Sequence, residues 1–588
     1  MKLLHIFFIW IWALSSTATA QNWIWSQSFG NIKSDKATAI RTDSLGYIFV
    51  AGYFSTSVSL GNNGYQLNFT SNQQSKEVFL AKFDSTGNCL WARSGGQYWD
   101  DRVLGLAVDK DGNSVITGTY WEGSGINIGG NVITGNSFGW GDQCFIAKHD
   151  PNGNYLWGNF VCSEAGDDQG LDVAMDYLGN VYVAGFMSGN TLYCGGATVT
   201  ASGVGTGSYD CSYYLAKFDP NGQAEWARTF GNLPWDTLHN KYLERDIAVT
   251  TDYSGVYVAG GYDHTRPFGN TTLTSNGGYD IFVLKYDLDG GFEWARGGGS
   301  DKDDWCNGIC TDHRGNVYIT GEHRDSLFID TVIIKNYDKR DAYVIKLETK
   351  TGHALWGKRA GSNLGDERGN DVYADRNCNV YVCGDIQGGA KFGDSLLVPL
   401  GNEVQAFVAR ISTKGNWKWF VTGGGPDDND RANSVTKGLG NQIYTAGFFR
   451  SPATFGNTTH SSIGSSDAFI ARVYDSLYKT ACEPAIFTSN TAYTNPLQDF
   501  YVPNAFTPNQ DGYNDYLNIS TAELRQVEVK IFNRLGEVVY QSNTTNGKGW
   551  DGTHQGRACM EGVYYYQISA TQMNGKQGVV QGTITLFR

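Results

Sequence analysis

The sequence predicts an all-β chain, a ring of seven four-stranded sheets closed by its own N-terminal strand and followed by a small β-sandwich. Three observations carry this prediction. A glycine ending an alternating strand recurs at Gly52, Gly118, Gly185, Gly260, Gly321, Gly384 and Gly447. A tryptophan recurs in step at Trp25, Trp91, Trp157, Trp226, Trp294, Trp356 and Trp419. The seventh unit stops at Phe469 to Asp475 before any tryptophan strand, and the chain begins with one, Asn22-Trp23-Ile24-Trp25.

Residues 1–20 come first along the chain. Lys2, an apolar run from Ile6 to Leu14 and the small-residue ending Ala18-Thr19-Ala20 form the pattern of a signal peptide. No later stretch approaches the roughly 18 consecutive apolar residues of a membrane helix. The mature chain is therefore expected to be soluble and exported, without a transmembrane segment.

Residues 21–480 hold the repeats. Stretches such as Asp176 to Asn180 and Asp312 to Asn316 sit between two apolar runs and read as hairpin turns. A second turn, Asp84 to Gly87 or Asp287 to Gly290, leads from a Phe-x-x-Lys strand to the tryptophan strand. Four strands in each unit make a propeller blade, and 75 glycines with 14% aromatic residues suit many short strands joined by tight turns. A ring must hide its first and last edges, so the N-terminal strand is expected to complete the seventh blade.

The string Ala-x-Asp-x-x-Gly-Asn-x-Tyr-Val-x-Gly, seen as Ala174 to Gly185, resembles the SBBP β-propeller repeat of exported bacterial proteins, over about residues 22–475. That resemblance implies a fold rather than a chemistry. The Asp84, Gly87, Trp91 spacing is also similar to the tryptophan-docking motif of quinoprotein propellers, which usually have eight blades and cofactor clamps not evident here.

Charge and cysteines narrow the function. A net charge of -14 repels a phosphate backbone, so nucleic acid is not an expected partner. The 11 cysteines lack C-x-x-C spacing, which leaves zinc unsupported; Cys194 and Cys211 are the first disulfide pair to consider.

An acidic residue stands eight positions before the hairpin aspartate in six units, at Asp35, Asp101, Asp168, Glu244, Asp304 and Glu367, and the seventh has Asn429 between Asp428 and Asp430. These carboxylates can line one face and gather cations or a basic or hydroxyl-rich ligand. A feature of every unit is scaffold before it is site, and each is first expected to accept backbone N–H groups and pin its loop. The basic series Lys82, Lys148, Lys217, Lys285, Lys346, Arg410 and Arg472 reads likewise as structural, five of them lying two residues before an acid.

Irregular loops are the better places for function. Trp121 and Trp140 in the second unit, and Trp235 in an insertion, are candidates to stack on sugar rings or anchor a protein, against the simpler reading that they pack on the sheets. Gly135-Asn136-Ser137-Phe138-Gly139 matches G-x-S-x-G without the strand and helix that a nucleophile elbow needs. No H-E-x-x-H array is present, and Asp303 with Asp304 or Asp427 with Asp428 are the carboxylate pairs a glycosidase would use.

After a linker over residues 481–499, residues 500–588 form a separate domain with its own strand signals, read as a small Ig-like sandwich. Pro503, Asn504, Phe506 and Pro508 with Asp511-Gly512; Asn533 and Gly536; Trp550-Asp551-Gly552; and Gly562 with Tyr564 resemble the gliding-motility-associated type B sorting domain of type IX secretion in Bacteroidetes. The resemblance implies passage through the type IX machinery to the cell surface or the medium. Asn509, Asp511 and Asp515 place oxygens around a glycine turn that can hold structural Ca²⁺, or form a metal-free turn. The expected function is a non-enzymatic surface propeller binding an extracellular glycan or protein. The alternative is a secreted carbohydrate-active hydrolase or lyase using the carboxylates of the propeller face.

Overall fold

The computed structural model describes residues 21–478 apart from 69–74, 98, 122–124, 136–140, 165–166, 190, 196, 201–210, 234–246, 337–338, 394–395, 399–402 and 426–428. Further on, it describes 505–508, 516–517, 524–533, 537–543, 549–554, 556–572 and 577–587. The chain divides into two compact units, Met1–Glu483 and Pro484–Arg588. Every regular element among the described residues is a strand, and no helix there is long and apolar enough to cross a membrane. The expected signal peptide and linker lie outside the described residues.

Seven sheets of the first unit share a four-stranded antiparallel plan. In the first sheet Lys36–Thr42 pairs with Ile48–Phe54, then Glu77–Phe83, then Cys89–Gly95. The seventh draws on both ends of the unit. Arg431–Lys437, Gln442–Phe449 and Asp467–Tyr474 are completed by Trp23–Phe29, in register from Trp23 opposite Val473 to Phe29 opposite Ala468. Innermost strands pack on one another in chain order, and Arg431–Lys437 packs on Lys36–Thr42, which closes the ring.

Between the second and third strands the chain makes an outlying hairpin. Ile126–Ile128 with Asn131–Ile133 is one, and it pairs with Cys89–Gly95 of the preceding sheet. These excursions lengthen the units and cover sheet edges.

Both repeated residues follow from close approach. A Cβ added at Gly118 would lie 1.8 Å from the Arg102 carbonyl oxygen, and one at Gly447 1.9 Å from that of Arg431, because the innermost strand bulges opposite the glycine. Six of the tryptophans tie their sheet to the turn of the next. Trp91 Nε1 donates to Pro151 O at 3.1 Å, Trp157 to Pro220 O at 2.9 Å and Trp356 to Thr413 O at 2.9 Å. The turn glycine accommodates the indole: a Cβ at Gly352 would stand 2.5 Å from Trp294.

The basic series joins the same latch, in keeping with a structural role. Lys82 Nζ donates to Pro151 O at 3.2 Å, Lys217 Nζ to Leu288 O at 3.0 Å and Arg472 to Ser85 O at 3.1 Å. These cations cap a turn of the next sheet, whereas Lys285 pairs with Glu293 of its own sheet at 2.9 Å. Cys194 is a buried free thiol, so the pair considered with Cys211 does not form. Cys378 is disulfide-bonded instead.

In the second unit, strands Leu524–Phe532, Val538–Ser542, Gly562–Gln572 and Gln577–Leu586 build a five-stranded sheet with Ala505–Phe506 parallel on its edge. Trp550 is the largest side chain of its core, with Tyr564 edge-on at 4.9 Å and Phe506 at 5.3 Å. Asp551 Oδ1 caps the turn below it by accepting from Thr553 N at 2.9 Å. The sorting motif thus contributes core and turn residues.

Candidate functional site at the ring axis

The axis is built from the bulged innermost strands. Register slips at Ala37/Ala39, Val103/Gly105, Gly170/Asp172, Cys306/Gly308, Gly369/Asp371 and Ala432/Ser434. The unpaired residue at each slip, Thr38, Leu104, Leu171, Asn307, Asn370 or Asn433, lines the axial channel. Four of them stitch neighbouring strands: Asn307 Nδ2 donates to Gly369 O at 2.9 Å, Asn370 to Ala432 O at 3.0 Å, Asn433 to Ala37 O at 2.9 Å and Thr38 Oγ1 to Val103 O at 2.9 Å. Leu104, Leu171 and Ile247 fill the other side, so the channel is polar on one flank and apolar on the other.

Arg41 bridges this belt. Its Nη1 donates to Asp371 Oδ2 at 3.1 Å, Ser434 Oγ at 2.8 Å and Ile40 O at 2.9 Å. Burial works to lower the Arg41 pKa, but the Asp371 and Asp172 carboxylates outweigh it and hold the group above its ordinary value. Asp172 accepts from Val249 N at 2.9 Å. Burial pushes its carboxyl up to about 6, with Arg41 pulling the other way.

Beyond Arg41 the channel widens into a cavity of about 490 Å³, the size of a small-ligand site. Its wall includes Val173, Val249, Thr250, Ile309, Val372 and Tyr373, and His313 and Arg376 stand at its mouth. Next to them are two exposed tyrosines. Tyr253 (49% exposed) lies 5.0 Å from the ring of Tyr177 (42%) and takes a 2.6 Å hydrogen bond on its hydroxyl from Arg376 Nη2. His313 meets Tyr253 edge-on at 6.1 Å.

The predicted carboxylates lie elsewhere, at the N-terminal ends of the innermost strands, whereas the cavity opens at their C-terminal ends. Asp35, Asp101, Asp168, Asp304, Glu367 and Asp430 are buried. Each accepts from its own loop: Asp101 from Gln97 N at 3.0 Å, Asp168 from Ser163 N at 2.6 Å, Asp304 from Ser300 N at 2.6 Å and Glu367 from Ser362 N at 3.2 Å. Their own amides donate to the preceding sheet, as Asp304 N does to Tyr279 O at 2.6 Å and Glu367 N to Arg340 O at 2.9 Å. This is the loop-pinning geometry. In the seventh unit the place is taken by Asp430, which accepts from Gly425 N at 2.6 Å, rather than by Asn429.

These acids are stacked against others. Burial first, and then Glu77, raise Asp101 to about 8; burial and then Asp341 raise Glu367 to about 10. Raised carboxyl pKa values mean that the fold favours the protonated form. The contribution of Glu367 is complete below the ordinary glutamate range and is lost as pH climbs toward about 10. Replacing Glu367 by Gln should therefore leave melting nearly unchanged near about pH 5 and raise it, relative to the native chain, by an amount that grows toward about pH 9. A constant difference across a pH series of thermal melts would contradict a protonated Glu367.

Trp121 is half-buried at the end of Ser114–Trp121, 5.8 Å from the exposed Trp99. Asp303 accepts from Tyr279 N at 3.1 Å, so its pairing with Asp304 is spent on the loop. Glu244, Trp140, Trp235, Pro503, Asn504, Asn509, Asp511, Gly512, Asp515 and Gly536 lie outside the described residues. Among the described residues no group of three or more His, Cys, Asp or Glu is placed to hold a metal ion. Arg41, Asp172, Asp371 and Tyr253 were not expected as site residues. The available signal for Arg41, Asp172 and Asp371 was a charge at strand positions where other units carry Ala, Gly, Ser, Thr, Cys or Tyr.

Residues 500–586 match the CHU_C type IX secretion signal domain, and residues 296–322 match the SBBP β-propeller repeat. The chain is a β-propeller protein carrying a type IX secretion signal. That signal directs export to the cell surface or the extracellular space, by way of the secretion machinery that reads it. A WD repeat-containing protein of Acanthamoeba polyphaga mimivirus, itself uncharacterised, is 22% identical over 523 residues, 74% of this chain and 37% of the relative. The chain thus spans little more than a third of that protein. A quinohemoprotein alcohol dehydrogenase from Comamonas testosteroni has a TM-score of 0.37 at 10% identity, over 77% of this chain and 76% of its own. PorZ, a surface component of the type IX system of Porphyromonas gingivalis, has a TM-score of 0.23 at 11% identity, over 95% of this chain and 82% of its own.

Proposed function

We propose that this propeller protein is displayed or released outside the cell and binds an extracellular ligand, a glycan in preference to a protein, in the axial cavity. The carrying observation is the 490 Å³ axial cavity lined by His313 and Arg376, with Tyr253 packed against both and Tyr177 beside it. Aromatic rings beside a cation suit the C–H faces and hydroxyls of a sugar. The reading takes the seven sheets as one seven-bladed propeller and the C-terminal sheet as part of an Ig-like sandwich.

A glycan-array screen of the full chain, paired with analysis of products, tests this. Retention of a defined saccharide without cleavage is expected, with affinity falling at least about ten-fold on Tyr253→Ala. Bond cleavage would favour the hydrolase or lyase reading, and full affinity in Tyr253→Ala would move the site away from the cavity.

A further inference from the structure

Arg41 makes every one of its hydrogen bonds through Nη1. Its Nε and Nη2 carry three further N–H donors, and none reaches a protein acceptor among the described residues. These donors are open to the axial space rather than sealed in the wall, so a ligand group can reach them. This side chain retains 30% exposure only because it faces the axial space. The free edge, Nε with Nη2, is one of the two edges of the guanidinium fork that match a carboxylate with two parallel hydrogen bonds.

Resting on the binding function proposed above, we infer that the cavity takes a uronate, a sugar bearing a carboxylate, with that carboxylate on the free edge of Arg41.

Three features favour this class. The floor already holds Asp371 at 3.1 Å from Arg41, and Asp172 acts on the same guanidinium, so a monoanion fits where a dianion would be repelled. Second, the exposed Tyr253 and Tyr177 stand beside the lining residue Arg376 and offer faces on which a pyranose can stack, with Arg376 as a second cation for the next carboxylate of an oligomer. Third, hydroxyl and apolar groups alternate on the wall, as Thr250 and Thr311 do with Val249 and Ile309, matching the mixed surface of a sugar ring.

A pH signature follows. The charged and titratable groups acting on Asp172 and Arg41 are one another, Asp371, the thiols of Cys383 and Cys310 and the Tyr373 phenol. Introducing a ligand carboxylate raises the cost of a charged Asp172, so binding should take up a proton there. The uronate itself stays ionised well below that range. Affinity is therefore expected to rise as pH falls from about 8 to about 5.5.

The test is titration calorimetry of the full chain with trigalacturonic acid and with its methyl ester. The acid should bind at least about ten-fold tighter than the ester. Arg41→Lys, which keeps the charge and loses the fork, should abolish that difference while Tyr253→Ala weakens both ligands alike. Equal binding of acid and ester would overturn the uronate assignment and leave the binding function standing. Binding of neither, with no saccharide held by an array, would overturn both. If Arg41→Lys does not fold, the comparison of acid with ester on the native chain, and its pH dependence, decide by themselves.

Discussion

Removing residues 21–30 is expected to destabilise the whole ring, by at least about 6 kcal/mol from two buried aromatics at about 3 kcal/mol each. Trp23 is buried edge-on against Phe455 at 5.4 Å, and its Nε1 donates to Thr422 O at 2.7 Å in the sixth sheet. Phe29 is buried edge-on against Phe79 of the first sheet at 5.7 Å. Between them Gln27 Nε2 donates to Gly87 O at 2.9 Å, taking the turn that the other sheets hold with a tryptophan. One strand therefore touches three consecutive sheets, and its loss also bares the edge of Asp467–Tyr474 to wrong partners. Because the strand belongs to the seventh sheet by pairing alone, a peptide of residues 21–30 added in excess should restore part of the lost stability. Superimposable melts of the deleted and intact chains would refute closure by this strand.

That closure was legible because it rests on counting: seven glycines, seven tryptophans and one unit without its last strand. The glycines count reliably since a Cβ at Gly118 or Gly384 would strike a backbone oxygen 1.8 Å away, and no repacking relieves a clash with backbone. Five of the tryptophans, Trp91, Trp157, Trp226, Trp294 and Trp356, count because each indole takes both the turn carbonyl and the bare glycine of the next sheet. The axial site offered no such count. Arg41, Asp172 and Asp371 lie in three distant strands, and only the ring brings them together. Asp172 and Asp371 hold the same repeat position, but the other units carry Ala39, Gly105, Ala248, Gly308 and Ser434 there, and Arg41 has no basic equivalent, so each looks like an ordinary strand residue on its own. The carboxylates before each innermost strand stood out for the opposite reason, regularity, and regularity proved to be loop geometry. Asn429 was misplaced by one residue because Gly438 replaces the hairpin aspartate that fixes the count elsewhere; Gly438 N donates to Gln442 O at 2.9 Å as those aspartates do.

Asp475→Ala is expected to cost about 3–5 kcal/mol, the range for breaking a buried ion pair from one side. At four other junctions the turn offers one backbone carbonyl to the tryptophan and the lysine of the sheet before it, as Pro151 O does to Trp91 and Lys82. Here the turn offers a carboxylate, which accepts from Trp419 Nε1 at 2.7 Å, Tyr381 OH at 2.7 Å and Leu477 N at 3.0 Å. It also pairs with Arg410 at 3.0 Å, the side chains being 0% and 2% exposed. Alanine would strand a guanidinium and orphan two ring donors in the same step. The double variant Arg410→Met with Asp475→Leu removes the stranded charge and should recover part of the loss. It should not recover all of it, since Trp419 and Tyr381 still lack an acceptor at about 1–3 kcal/mol each. Urea unfolding of the two variants separates the contributions. A loss under about 1 kcal/mol in Asp475→Ala would mean that water reaches the pair. Full recovery in the double variant would mean that the ring donors find water, and that the junction between the sixth and seventh sheets opens where the chain leaves the propeller for its secretion signal.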